Sequence, residues 1–184
     1  MLNLTATTPL GGYSQTFGKT VLAEAGTLAL VSLACPAQGD DALAKTLKTM
    51  KLARPAPGTS IVEGDSRLIW TAPDQMLLAF VHATPDAAAT IAAKTGDTAY
   101  LTDQTDNWCA LTLDGPLARA ALERICPLDL YEDVFALDAA ARTVMEHMGV
   151  IIVRTGDDAF LLLSASSSAG SFLHAVETSV QNVS

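Results

Sequence analysis

Basic residues and long apolar runs are both scarce in this chain of 184 residues. Eleven lysines and arginines stand against twenty aspartates and glutamates, which gives a formal net charge of -9. Such an excess of negative charge repels nucleic acid and anionic membranes. The apolar runs at 149–153 and 159–163 have the length of strands, whereas a membrane-spanning helix needs about 20 apolar residues. We therefore expect no nucleic-acid partner and no membrane span.

Cysteine is also rare, and no secretory signal is apparent. Residues 1–12 contain neither a basic region nor a long apolar run, and a signal peptide needs both. Cys35, Cys109 and Cys126 are odd in number, widely spaced and form no CxxC pair. Each has apolar neighbours, which favours the reduced thiols of a cytoplasmic protein, with at least two of the three largely buried. A structural disulfide or a zinc site is the alternative.

Motifs for catalysis and cofactor binding are lacking. His82, His147 and His174 are accompanied by neither a GxSxG nor an HExxH motif. Gly18-Lys19-Thr20 matches only the last three positions of a phosphate-binding P-loop. We expect structural or surface roles for the histidines, and no catalytic, cofactor-binding or metal-binding residue in this chain.

Hydrophobic periodicity divides the chain into an arm and two similar halves. Residues 1–26 mix Thr, Gly and Ser with isolated apolar residues, which predicts an arm with one short strand. Residues 27–184 are predicted to form a single α+β domain built of the halves 27–95 and 107–181. Each half has the predicted order strand, helix, strand, strand, helix. The helices are predicted at 40–51, 84–93, 115–125 and 167–180, the second of them starting at Thr84-Pro85-Asp86.

The two halves also share a short sequence echo. The segment 70–78 aligns without a gap with the segment 154–162, and a Thr, an Asp and two Leu residues match. The common element order and this echo predict an internal repeat of two ferredoxin-like βαββα units.

The strand-to-helix turn Asp114-Gly115-Pro116 has two interpretations. Free backbone N–H groups at the start of a helix could bind an anion. Proline removes one of those donors, however, while glycine provides the backbone freedom that a tight turn needs. We favour the structural interpretation.

The segment from Cys126 to Ala140 is a long connection without helical or alternating periodicity. Connections of this length are uncommon in compact domains and usually have a purpose. It is rich in apolar side chains interleaved with acidic ones, which predicts an exposed apolar patch rimmed by carboxylates for docking a partner. The alternative is that these side chains fill the chain's own core. The candidate interface residues are Leu130, Tyr131, Val134 and Phe135.

Parts of both halves resemble the gamma subunits of heterotetrameric sarcosine oxidases. The run 111–119 (LTLDGPLAR) resembles a strand, Gly-Pro and helix-start motif that this family shares with the folate-binding domains of aminomethyltransferases. The run 126–130 (CPLDL) is a more specific match, and 72–78 (APDQMLL) resembles the family's Pro-Asp-Glu-Trp-Leu-Leu. Gln75 and Met76 replace the usual Glu and Trp.

This resemblance implies an α+β fold like the folate-binding domain of an aminomethyltransferase. It also implies a non-catalytic gamma subunit that supports assembly with the alpha, beta and delta subunits, mainly alpha. In that family the oxidase demethylates sarcosine to glycine and transfers the one-carbon unit to tetrahydrofolate. FAD and FMN belong to the beta subunit, NAD and a folate site to alpha, and zinc to delta, which leaves no cofactor in this chain. The alternatives are a stand-alone folate-binding or aminomethyltransferase-like one-carbon protein, and an unrelated small enzyme or regulatory domain.

Overall fold

The computed structural model describes residues 7–82 and 85–184. Within these ranges the chain forms eleven strands and four α-helices. The strands are β1 Ser14–Phe17, β2 Thr20–Glu24, β3 Leu28–Ala34, β4 Ser60–Glu63, β5 Ser66–Ala72, β6 Gln75–Val81, β7 Tyr100–Asp103, β8 Trp108–Asp114, β9 Ala140–Met145, β10 Met148–Gly156 and β11 Ala159–Ala165. The helices are α1 Asp40–Thr49, α2 Ala87–Thr95, α3 Ala118–Glu123 and α4 Ala169–Gln181. The predicted helix start at Thr84 lies outside the described residues.

The strands form two antiparallel sheets that pack face to face. The first sheet has the order β4-β5-β6-β3-β7, and the second has the order β1-β2-β8-β11-β10-β9. Alternate residues of a strand point to opposite faces, so that Leu30 joins an apolar cluster between the sheets while Val31 packs toward α1 and α2. In the second sheet Leu161 faces the first sheet, and Leu162 packs against α3 and α4. The result is four layers in the order helices, sheet, sheet, helices, which confirms the α+β class.

The internal repeat is confirmed, although each half has one more strand than the common order predicted. The order β4-β5-β6-β3 in the first sheet repeats as β9-β10-β11-β8 in the second, and three strands rather than two lie between the helices of each half. The strand missed in the first half is β4, which has only four residues and follows a loop with three prolines or glycines at 55–58. Such a short edge strand has too few residues to show an alternating pattern.

The sequence echo has a structural counterpart at the same position of each repeat. The pairing of β5 with β6 shifts register between Trp70 and Ala72, and the pairing of β10 with β11 shifts between Arg154 and Gly156. Thr71 and Thr155 are therefore the extra residues of equivalent β-bulges. The matched threonines mark a shared backbone irregularity.

The segment before each half joins the sheet of the other half, β1 and β2 in the second sheet and β7 in the first. Strand β2 immediately precedes β3 in the chain but pairs with β8 of the second sheet. Strand β7 immediately precedes β8 but pairs with β3 of the first sheet. This reciprocal exchange interleaves the two repeats in one body.

The described part of the predicted arm, residues 7–26, contains two strands rather than one. Strands β1 and β2 form the edge of the second sheet, and the loop before them is fastened to Glu24. The Glu24 carboxylate accepts hydrogen bonds from the Thr8 hydroxyl at 2.6 Å and from the backbone N–H groups of Leu10 and Gly12 at 2.9 and 2.7 Å. This segment lies against its own domain.

The cysteines follow the prediction that at least two are buried. Cys109 and Cys126 are buried and Cys35 is partly buried, and all three carry free thiols. Cys109 lies on β8 in the core beneath α3 and α4. Burial, with a smaller contribution from the Glu24 carboxylate, raises the pKa of the Cys109 thiol from 9.0 to about 11.

This raised pKa predicts alkaline destabilisation. Because the folded state holds the thiol proton more tightly than the unfolded state, the contribution is complete below pH 9 and is lost as pH rises from 9 to 11. We expect the free energy of unfolding to fall by about 2 kcal/mol more in the wild type than in Cys109→Ala between pH 8 and pH 10.5. Urea unfolding at the two pH values measures this difference. Equal pH dependence of the two proteins would contradict it.

No helix among residues 7–82 and 85–184 combines the length and the apolar character that crossing a membrane requires.

Candidate functional site

The connection between α3 and β9 divides the four predicted interface residues into two pairs. Leu130 is fully buried and Phe135 is 7% exposed, and both belong to the core beneath the second sheet. Tyr131 and Val134 are 53% and 64% exposed. The core-filling alternative therefore holds for the first pair, and the docking hypothesis is restricted to the second. Leu137, on the same connection, is 56% exposed.

A compact turn produces this division. The backbone N–H groups of Val134 and Phe135 both donate to the Tyr131 carbonyl oxygen, at 3.0 and 2.7 Å. The Tyr131 N–H in turn donates to the Asp129 carboxylate at 2.9 Å. The turn directs Leu130 and Phe135 inward and leaves the side chains between them outside. We name the three exposed side chains Tyr131, Val134 and Leu137 the docking patch.

Arg119 of α3 contacts Tyr131, the aromatic residue of the docking patch. The Arg119 guanidinium lies 5.6 Å from the centre of the Tyr131 ring, within cation–π range. It also lies 3.8 Å from the Glu132 carboxylate. The Arg119 Nε is buried and has no hydrogen-bond partner among the described residues. Tyr131 is thus held over a charged group while half of its surface faces solvent.

Carboxylates surround the docking patch along the chain. Asp129, Glu132 and Asp133 are exposed, and the chain as a whole carries a net charge of -9. An apolar patch with an acidic rim fits a partner surface with an apolar centre and a basic rim.

A buried arginine fixes the carboxyl-terminal end of the connection. Arg154, on β10, is only 4% exposed. Its guanidinium donates to the carbonyl oxygens of Phe135, Gly156 and Asp157 at 3.0, 3.1 and 2.9 Å. The backbone of Asp138 and Ala139 also exchanges two hydrogen bonds with that of Arg154, each of 3.0 Å.

Contacts between Asp138 and the first half also anchor the connection. Asp138 has a φ of 64°, and its carboxylate pairs with Arg67 of β5 at 2.5 Å. Its carbonyl oxygen accepts hydrogen bonds from the N–H and the hydroxyl of Ser60 at 2.7 and 3.0 Å. Both partners belong to the first half. The connection therefore presents the docking patch from a base that joins the two halves.

Sequence patterns did not identify Arg119, Arg154 or Arg67 as supporting residues. The one available signal was Arg154, a charged residue directly after the apolar run 149–153 in a strand predicted to be buried. Arg119 and Arg67 carry no such signal, because their ion-pair partners lie 13 and 71 residues further along the chain.

The three histidines lie on different segments of the fold. His82 follows β6 and pairs with Asp86 at 2.8 Å, His147 lies in the β9–β10 turn, and His174 lies on α4. No group of three or more His, Cys, Asp or Glu side chains that could hold a metal ion occurs in the described part of the chain.

The Asp114-Gly115-Pro116 segment forms the predicted tight turn, in which the Gly115 N–H donates to the Asp158 carbonyl oxygen at 3.0 Å.

The chain is similar to several curated proteins that are all named sarcosine oxidase subunit gamma. The chain is 30% identical over 106 residues to the sarcosine oxidase subunit gamma of Corynebacterium sp. (strain P-1), a match that covers 58% of this chain and 52% of that protein. The resemblance to sarcosine oxidase gamma subunits is confirmed. The chain spans about half the length of this curated relative. No family model matches the sequence.

Solved structures confirm the predicted fold. A chain of the heterotetrameric sarcosine oxidase from Corynebacterium sp. U-96, in complex with pyrrole 2-carboxylate, superposes with a TM-score of 0.79 at 24% identity, over 91% of this chain and 88% of that chain. The glycine cleavage system aminomethyltransferase T from Bartonella henselae superposes with a TM-score of 0.65 at 16% identity, over 93% of this chain and 56% of that chain. The fold of two repeats is thus the fold of part of an aminomethyltransferase.

Proposed function

We propose that this chain is a non-catalytic gamma subunit of a heterotetrameric sarcosine oxidase. The supporting observation is its similarity to a sarcosine oxidase gamma subunit, combined with an apolar docking patch held on a rigid base. The complex would demethylate sarcosine to glycine oxidatively and pass the one-carbon unit to tetrahydrofolate. FAD, FMN, NAD, zinc and the folate would be bound by the other subunits. The two buried, unbridged cysteines are compatible with a cytoplasmic complex.

The docking patch is the surface that we assign to the alpha subunit. Aromatic residues held in place before binding contribute strongly to interfaces, because little side-chain entropy remains to be lost. Tyr131 meets this condition through its contact with Arg119. Beta and delta would join the complex without this patch.

Co-expression of all four subunits with an affinity tag on alpha tests this proposal. We expect Tyr131→Ser combined with Val134→Ser to reduce the amount of this chain recovered with alpha by at least about tenfold, which corresponds to about 1.4 kcal/mol. The melting temperature of the isolated variant should change little, because both side chains are exposed. Phe135 is left unchanged because it belongs to the core.

A matched pair of exposed residues on the first sheet provides the control. Tyr100 and Val62 are 69% and 48% exposed on edge strands, and Tyr100→Ser with Val62→Ser should leave recovery with alpha unchanged. Equal loss in both double variants, or none in either, would assign no role to the docking patch. Flavin absorbance or sarcosine turnover by the isolated chain would contradict the non-catalytic assignment.

A further inference from the structure

The internal repeat places a groove at the same position in each half. In both halves it lies between the end of the first helix, the second helix, and the hairpin formed by the first two of the three strands between them. We name them the first groove, between α1, α2 and the β4–β5 hairpin, and the second groove, between α3, α4 and the β9–β10 hairpin. The two differ in size, charge pairing and turn conformation.

The first groove is small, and its hairpin glutamate has an ion-pair partner. Its volume is about 320 Å³. Glu63 of the hairpin pairs at 3.8 Å with Lys51, which follows α1 and is not itself a lining residue, whereas Lys94 of α2 lines the groove without an ion pair among the described residues. The chain thus provides its own countercharge at this position.

The second groove is larger and its charges are unpaired. Its volume is about 630 Å³. Arg124 at the end of α3 and Glu146 of the hairpin both line it and are both exposed. Neither makes an ion pair within 4 Å with any of the residues that the structure describes. Ile125 and Met148 provide apolar surface in the same groove, and Ser171, His174 and Thr178 of α4 line its other side.

The turn that carries Glu146 has two residues other than glycine at positive φ. Glu146 and His147, the two residues between β9 and β10, have φ values of 44° and 71°. Residues other than glycine rarely adopt positive φ, and such strain concentrates at functional sites. The equivalent β4–β5 turn places Gly64 at its positive-φ position, with a φ of 54°. The second half therefore carries a glutamate where its duplicate has the unstrained glycine.

We propose that the second groove seats a segment of a partner subunit that carries one acidic and one basic side chain around an apolar one. The acidic side chain pairs with Arg124, the basic one with Glu146, and the apolar one packs on Ile125 and Met148. This assignment rests on the proposed function, because the partner is another subunit of the oxidase.

Charge reversal in the co-expressed complex tests the proposal. We expect Arg124→Glu and Glu146→Lys each to weaken recovery of this chain with the other subunits about tenfold, because a buried like-charge contact replaces an ion pair. The matched variants Lys51→Glu and Glu63→Lys reverse the equivalent charges of the first groove and should leave recovery unchanged. On assembly, the amide groups of 143–149 and 171–182 should exchange more slowly with solvent.

Glu146→Gly separates binding from folding. Glycine adopts positive φ without strain, so this variant should melt a few degrees above the wild type when isolated. It should nevertheless assemble more weakly, which a merely structural role of Glu146 would not produce.

The results of these experiments distinguish a failure of the groove proposal from a failure of the proposed function. If wild type and all charge variants assemble equally, the groove proposal is overturned while the proposed function stands. If the wild type does not assemble at all, the proposed function fails and this inference fails with it. Slower amide exchange at the groove caused by sarcosine in the isolated chain, without an effect of assembly, would assign the groove to a small zwitterion and also overturn the proposal.

Discussion

Replacing Arg154 with methionine is expected to lower the free energy of unfolding by about 3 kcal/mol. Methionine fills much of the space of the arginine stem but donates no hydrogen bond. The carbonyl oxygens of Phe135, Gly156 and Asp157 then lose the partner that they have at 2.9–3.1 Å. The bond to the Phe135 carbonyl is buried, and a buried acceptor left without a partner costs about 1–3 kcal/mol. The bonds to Gly156 and Asp157 are only partly buried, so water can replace part of what they lose. Urea unfolding of the isolated chain measures the loss.

Two further variants define the origin of the effect. Arg142 is exposed on β9, the strand next to Arg154, and Arg142→Met should change stability by less than about 0.5 kcal/mol. Arg154→Lys keeps the charge but replaces the planar fork by a compact ammonium group, so it should fall between the wild type and Arg154→Met. An Arg154→Met protein as stable as Arg142→Met would refute the anchoring role.

The same substitution links stability to the docking patch. Because Arg154 holds the Phe135 carbonyl oxygen, its loss should release the turn at 131–135 and accelerate amide exchange there before global unfolding. Recovery with the alpha subunit should fall as well, although Arg154 is buried and cannot contact a partner. Binding by the docking patch is therefore expected to depend on the buried Arg154 anchor as well as on the exposed side chains.

Sequence patterns predicted the repeat because its longest strands carry strong signals. Strands β3, β5, β6, β8 and β11 have seven residues each and β10 has nine, long enough for a run of apolar residues bounded by turn signals. The sequence echo between 70–78 and 154–162 was detectable because both segments contain the same β-bulge, which constrains the residues around it. Local periodicity and turn chemistry were sufficient for these features.

The exchange of β2 and β7 could not be predicted in this way. These strands have five and four residues, and their pairing partners lie in the other half. Nothing in a short strand encodes which of two similar sheets it joins, because both offer an equivalent edge. The exchange depends on long-range contacts between the repeats.

The candidate site was predicted as a segment but not residue by residue. A connection without periodicity gives no rule for which side chains point inward. Leu130 and Phe135 are buried while Tyr131 and Val134 are exposed, although all four are apolar or aromatic. The division follows from the turn at Tyr131 and from the Arg154 anchor, which bring together groups that are distant in the sequence.

Replacing Gly115 with alanine should destabilise the fold at least as much as the loss of Arg154. Gly115 begins the tight turn into α3 with a φ of 129°, a conformation that other residues rarely adopt. An added Cβ would lie 2.6 Å from the Thr20 Cα and still closer to the Lys19 carbonyl oxygen. The β1–β2 turn would have to move away, and the bond from the Leu117 N–H to the buried Thr20 hydroxyl, now 3.0 Å, would break.

Backbone strain and overpacking each cost about 1–3 kcal/mol, so we expect a loss of about 3–5 kcal/mol for Gly115→Ala. Gly170 of α4 is the matched control, since its added Cβ would meet no atom within 4 Å. Gly170→Ala should raise stability by about 0.5–1 kcal/mol, because alanine favours the helix. Thermal and urea unfolding of both variants measure these opposite shifts, and recovery from the soluble fraction shows whether Gly115→Ala folds at all. A soluble Gly115→Ala protein with wild-type stability would mean that the β1–β2 turn yields freely, and that its contact with Gly115 does not fix the edge of the second sheet.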